Sequence, residues 1–292
     1  MPRTGMNHLR RVFLFGGAVL TALAVAGLVP GRAEEKKAEE KVKPIRALLV
    51  IGGCCHDYAK QKEILSKGIS ARAHVEVTIA YDPDTSTKHL NPVYEKPDWS
   101  KDFDVVIHDE CSSDVKDLDV INRILEPHRQ GLPAVVLHCG MHCYRSEGWP
   151  NATIPWFEFT GLATTNHGPQ LPIAISFVDK KSPITRGQED WTTVNEELYN
   201  NYTGKLLDTA QPLARGKQTL KEGKDAESVV VWTNTYNKKT RVFATTLGHN
   251  NTTVEDPRYL TLVTRGLLWS CDKLDDKYLK TLEAPKEKGP GR

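Results

Sequence analysis

Residues 138–143 read His-Cys-Gly-Met-His-Cys and follow directly on an apolar run at 134–137. Two imidazoles and two thiols in six positions permit three chemistries. They suit a metal site, a sharp strand-to-helix turn presenting a nucleophile, or a buried strand end with no chemistry. Similar groups recur at Cys54-Cys55-His56-Asp57, at His108-Asp109-Glu110-Cys111 and at Gly248-His249-Asn250. His167 precedes another expected strand, and Glu196-Glu197-Leu198-Tyr199 supplies carboxylates beside a phenol. Imidazole suits zinc, iron or nickel, and carboxylates such as Asp57, Asp109 or Glu197 complete or orient such a shell. Metal-free proton transfer by histidine is the alternative.

The elements that must position these groups follow from hydrophobic patterning. Continuous apolar runs at 45–53, 103–110 and 132–140, with an alternating run at 74–81, read as strands. Helical spacing covers 57–73 and 114–131, the second stopping at Gly131. Further strands are expected at 171–178, 211–216, 228–236 and 240–250, the last two as a hairpin, with a closing helix at 256–271. This order predicts an α/β chain: a three-layer α/β/α sandwich with a mainly parallel sheet. Ligand sites in such sheets lie beyond the carboxyl ends of the strands. Of the histidines, His56, His108, His138, His142 and His249 all fall on that edge.

Six cysteines leave two readings, disulfides between neighbouring strand-end loops or free buried thiols. Adjacent Cys54 and Cys55 are not expected to bond to each other, because neighbouring Cα atoms are closer than relaxed disulfide geometry prefers. No second Cys-x-x-Cys pair completes a structural zinc site. Trp156, Trp232 and Tyr199 offer ring surface to a ligand, although tryptophans more commonly build core.

The N-terminus differs in kind from the rest. Arg3, Arg10 and Arg11 precede an apolar stretch and then small residues at Gly31 and Ala33, the pattern of an export signal over residues 1–33. Arg10-Arg11 resembles the twin-arginine type, and an uncleaved membrane anchor is the alternative. Removing that segment leaves 35 Lys and Arg against 37 Asp and Glu, so the formal charge of +2 is no argument for nucleic-acid binding. A charged linker at 34–43, a folded domain at 44–274 and a flexible tail at 275–292 complete the expected organisation, with no stable membrane insertion after cleavage. The sequence leaves the oligomeric state open.

The stretches at 43–58, Leu137-His138-Cys139-Gly140-Met141-His142, Glu196-Glu197-Leu198-Tyr199 and 241–250, with Arg265-Gly266-Leu267-Leu268-Trp269, resemble the trehalose-utilisation (ThuA-like) family. That family belongs to the class I glutamine amidotransferase-like superfamily, which implies a flavodoxin-like α/β/α fold. Aligned with the amidotransferase nucleophile turn, Pro133, Gly140 and Met141 match, while His138 occupies the nucleophile position and Cys139 falls one place later. Amidotransferase chemistry is therefore not expected. The resemblance implies a sugar substrate and a histidine-rich pocket holding a divalent metal, zinc first. Carried over residue by residue, His56, His138, His167 and His249 are the expected metal ligands. His138, Glu197, Asp57 and Tyr199 are the expected catalytic groups. Hydrolysis or elimination on keto-glycosides or disaccharides is the reaction implied. A non-catalytic sugar-binding module and a Cys139-dependent hydrolase are the competing readings. Where the family often has His-Pro-Ile, this chain has Ser182-Pro183-Ile184.

Overall fold

The apolar runs form the centre of the molecule in the computed structural model, which describes residues 42–282 apart from Lys205 and Glu222. Strands β1 (Ile45–Gly53), β3 (Val105–Cys111) and β4 (Ala134–Leu137) are buried almost throughout, as strands covered on both faces must be. β2 (Val75–Asp82) lies at the sheet edge and alternates more. Helices α1 (Tyr58–Arg72) and α5 (Pro257–Ser270), the latter following the single-turn α4 (Asn251–Val254), pack Leu65, Ile69, Leu262 and Val263 onto one face, against Leu49, Ile51 and Ile107. Helices α2 (Leu118–Gln130) and α3 (Pro155–Thr160) cover the other with Ile121, Ile124, Trp156 and Phe159, against Leu48, Val50 and Val106. Asp117 caps α2 through the Asp119 and Val120 amides, and Gly131 ends it in the left-handed conformation. α5 approaches the sheet so closely that a Cβ at Gly266 would lie 2.4 Å from the Phe243 ring.

The three-layer arrangement stands, but the mainly parallel sheet does not. The remaining strands are β5 (His167–Phe177), β6 (Trp191–Tyr199), β7 (Ala210–Thr219), β8 (Asp225–Tyr236) and β9 (Thr240–Thr245). The nine strands run in the order β2-β1-β3-β4-β9-β8-β7-β5-β6. The first four pairings are parallel and the last four antiparallel. The reason lies in the connections. Parallel neighbours need a crossover of a dozen or more residues, usually helical. Between β5 and β9 the described residues contain no α-helix, only a 3₁₀ turn at Tyr202–Gly204. β8 and β9 form the expected hairpin, turning through Asn237 and Lys238 at positive φ.

Two boundaries shift. β4 ends at Leu137, and the chain enters a 3₁₀ turn at His138–His142 instead of continuing as strand. The segment expected as a flexible tail is fixed in its first part. The His74 amide donates to Tyr278 O (2.8 Å) and the Lys280 amide to Arg72 O (2.8 Å). Among the described residues no helix is long and apolar enough to cross a membrane. The expected export signal lies outside the described residues.

Candidate metal centre

The parallel half delivers its chemistry where the sequence placed it, at the carboxyl edge. β1 ends in Gly52 and Gly53, both at positive φ. A Cβ on Gly53 would come within 2.3 Å of Cys111 O, so β1 can lie this close to β3 only with glycine there. The chain then turns through Cys54 and Cys55 and presents His56 just before Asp57 caps α1. β4 leads directly into His138, whose backbone is left-handed at φ 39°. That is the strained turn of a nucleophile-type elbow, occupied by imidazole. β9 leads to Gly248-His249. This loop is held by Glu196, which accepts from the His249 amide (3.0 Å) and the Asn250 amide (2.9 Å). Gln61 donates to Gly248 O (3.1 Å) from α1.

The antiparallel half supplies the rest. Side chains alternate along β6, so Glu196 clamps the His249 loop while Glu197 and Tyr199 share the face turned to the histidines. His56, His138, Glu197 and His249 thus form one buried or half-buried cluster whose ligand atoms all lie within 4.8 Å of one another. Nε2 of His138 is 2.9 Å from Nε2 of His56 and 3.6 Å from Glu197 Oε2. Nδ1 of His249 is 3.3 Å from Glu197 Oε1. Tetrahedral zinc with bonds of about 2.0–2.1 Å separates its ligands by roughly 3.3 Å, so these spacings bracket the required one.

The protonation pattern favours a cation. His138 Nδ1 lies 2.6 Å from Thr246 O, and His56 Nδ1 lies 3.2 Å from Cys54 O. A carbonyl oxygen only accepts, so both Nδ1 atoms carry the hydrogen in the neutral rings. Both Nε2 lone pairs then converge, as in metal sites whose histidines are backed by carbonyls. Burial, reinforced by the charges of His138 and His249, pushes the His56 pKa down to about 2, so this ring is neutral at ordinary pH. Burial pushes the Glu197 carboxyl up, but the His138 and His249 rings beside it outweigh burial and hold the group well below the usual range. The hydrogen bond to Glu197 raises His249 against burial. Three imidazoles and one carboxylate suit a divalent ion of borderline softness.

The other expected residues fall around this centre. His167 is 41% exposed at the lip, with Nε2 3.6 Å from Glu197 Oε2, and lies outside the four-residue cluster. Tyr199 OH is 3.2 Å from His138 Nε2. Asp57 is exposed, accepts from Asn251 Nδ2 (2.8 Å) and lines an open cleft of about 450 Å³ with Cys55, His56, His249, Asn250 and Asn251. His142 stacks flat on Tyr199 at 4.1 Å and supports it. His108 does not join the cluster. It is fully buried beside His128 (3.1 Å) and Glu110 (3.0 Å), against Trp156 and Phe159. Trp156 and Trp232 are core, donating to Gly140 O and Thr160 O, so neither offers a sugar-facing ring. Gln170 was missed: its amide reaches His249 Nε2 (2.9 Å) and Glu197 Oε1 (3.2 Å). A glutamine inside an antiparallel strand leaves no motif that would mark it. Glu196 and Gln61 were missed likewise, although the Glu196-Glu197 doublet carried the alternation that separates their roles.

The cysteines correct one expectation outright. Cys54 and Cys55 are disulfide-bonded to each other, with Cα atoms 3.7 Å apart. The left-handed backbone at Cys55 (φ 81°) allows a closure that extended neighbours would not permit. Cys111, Cys139, Cys143 and Cys271 are free. Cys139 points into the interior, 2.7 Å from Cys111 Sγ, so the position beside the elbow presents no thiol to the cleft.

An α/β/α sandwich with a nucleophile-type elbow and a His/Glu centre at the strand ends defines the class. Residues 46–270 match the family described as ThuA, trehalose utilisation, and the chain belongs to that family. A ThuA-like protein from Parabacteroides merdae is 20% identical with a TM-score of 0.60, over 84% of this chain and 94% of that one. A second, from Bacteroides uniformis, is 13% identical with a TM-score of 0.53, over 79% and 95%. Both likenesses concern the fold. A glutamine amidotransferase from Thermotoga maritima is 9% identical over 70% and 75%, and its TM-score of 0.39 carries no argument. No curated protein matches the chain.

Proposed function

We propose that the His56/His138/His249/Glu197 cluster holds one divalent cation, zinc by its donor set, and that the protein is a carbohydrate-active hydrolase or lyase acting on keto-glycosides or disaccharides. The carrying observation is the convergence of three imidazoles and one carboxylate whose ligand atoms all lie within 4.8 Å of one another, a donor set that suits a divalent ion. A bound divalent ion supplies Lewis acidity toward a carbonyl or a water molecule. The residues of the chain do the rest. Thr246 O and Cys54 O fix the two ring tautomers, and Gln170 orients His249 and Glu197. Tyr199 OH and the exposed His167 stand at the cluster as groups able to hold or transfer a proton. The family name supports a sugar substrate, and the open cleft beside His56 and His249 offers room for one.

The test is turnover of a panel of keto-glycosides by wild type, His138→Ala and His249→Ala, each with measured metal content. Loss of turnover together with the metal supports the proposal. Unchanged turnover in both variants overturns it, and ligand binding without turnover in wild type makes the protein a sugar-binding module. We further propose that residues 1–33 are an export signal. N-terminal sequencing of the exported protein should begin at Glu34, and retention of residues 1–33 contradicts cleavage.

A further inference from the structure

Beneath the cleft lies a line of sulfurs that the proposed chemistry does not use. Cys55 is exposed at the cleft lip and bonded to Cys54. Cys54 Sγ is 3.2 Å from Cys111 Sγ, and Cys111 Sγ is 2.7 Å from Cys139 Sγ. Cys54, Cys111 and Cys139 are all buried. The line therefore runs from solvent inward, ending under the His138 elbow. Cys143 is excluded, because its sulfur accepts from the Ser112 amide (3.1 Å) and donates to Glu110 O (2.9 Å). Cys271 ends α5.

We infer that Cys55, Cys54, Cys111 and Cys139 form a thiol–disulfide exchange chain that moves one disulfide between the cleft surface and the interior, making Cys55 an entry site for small-molecule thiols. In the first step Cys111 Sγ attacks Cys54 Sγ. The Cys54–Cys111 bond forms and the Cys54–Cys55 bond breaks. The electron pair leaves on Cys55, which takes up the proton that Cys111 gave up. In the second step Cys139 Sγ attacks Cys111 Sγ, forming Cys111–Cys139 and releasing Cys54 as a thiol. One disulfide exists before and after each step, so no external oxidant or reductant enters. With the bond at the surface, a small thiol attacks Cys55 and forms a mixed disulfide. With the bond inside, Cys55 is itself a free thiol at the lip. The exchange also reaches the histidine centre, because His56 Nδ1 is held by Cys54 O.

Disulfide mapping tests this on the full folded chain. The protein is held at pH 8, quenched in acid, alkylated in denaturant without reductant, and its linked peptides are identified by mass spectrometry. Wild type should yield Cys54–Cys55, Cys54–Cys111 and Cys111–Cys139 linkages, and native-state iodoacetamide should label Cys55. In Cys111→Ser only Cys54–Cys55 should remain, with Cys55 labelling slower by at least about tenfold. Cys139→Ser blocks only the second step, so Cys54–Cys111 should accumulate with Cys55 still labelled, which keeps the test open if Cys111→Ser misfolds. A wild type with Cys54–Cys55 as its sole linkage, or equal labelling of Cys55 with and without Cys111, overturns the proposal.

Discussion

Glu197→Gln preserves shape and removes one charge, which makes it the sharpest probe of the centre. The carboxylate is buried and lies 3.6 Å from His138 Nε2, 3.3 Å from His249 Nδ1 and 3.6 Å from His167 Nε2. Removing one partner from a buried charged set costs about 3–5 kcal/mol. Applied to a bound cation, that is a loss of roughly 10²- to 10⁴-fold in affinity. The assay is competition between metal-free protein and a chromophoric chelator, with zinc as the probe. A second readout needs no metal: the His249 ring, raised by its hydrogen bond to Glu197, should titrate at lower pH in the variant when followed by NMR. Zinc affinity within about threefold of wild type would refute the reasoning, since a ligand carboxylate cannot be lost so cheaply. An unmoved His249 titration would remove the Glu197–His249 contact itself.

Other outcomes follow from named contacts. Gln170→Ala should weaken zinc binding by about 10- to 100-fold with little change in folding stability, measured by the same competition and by denaturant unfolding. Gly53→Ala places a Cβ 2.3 Å from Cys111 O at a positive φ, and should destabilise by at least about 2 kcal/mol in chemical denaturation. Burial, with the charge of His108, depresses the pKa of His128 to about 3, so the folded state keeps that ring neutral where the unfolded chain protonates it. Its contribution is present above the unfolded value near 6.5 and is lost as pH falls toward 3. Unfolding free energy should therefore drop by about 2 kcal/mol from this group between pH 7 and pH 5, and His128→Gln should remove that share of the slope.

Much of the parallel half was legible because continuous apolar runs ending in polar clusters leave one architecture for strands, helices and strand ends. β1 was found to the residue, and His56, His138 and His249 lie together at the strand ends while His167 stands outside the cluster. The antiparallel half was harder to read. β6 alternates as Trp-Thr-Thr-Val-Asn-Glu-Glu-Leu-Tyr, a polar pattern that does not announce a strand. Its pairing decides that Glu197, rather than His167, completes the cluster. The sheet's direction was misjudged because apolar runs reveal burial and not polarity of pairing, which the missing crossover helices determine. Strand-end position likewise did not reveal which face a side chain takes, so His108 went to the core. The Cys54–Cys55 bond escaped because average disulfide spacing says nothing of one left-handed residue.

The carboxyl edge of the sheet is proposed to hold a metal. Metal content of tag-free protein, measured by inductively coupled plasma mass spectrometry, tests it most directly. One divalent ion per chain is expected, absent from His138→Ala purified in parallel. A wild type without stoichiometric metal, which also fails to take up zinc after chelator treatment and dialysis, would contradict it.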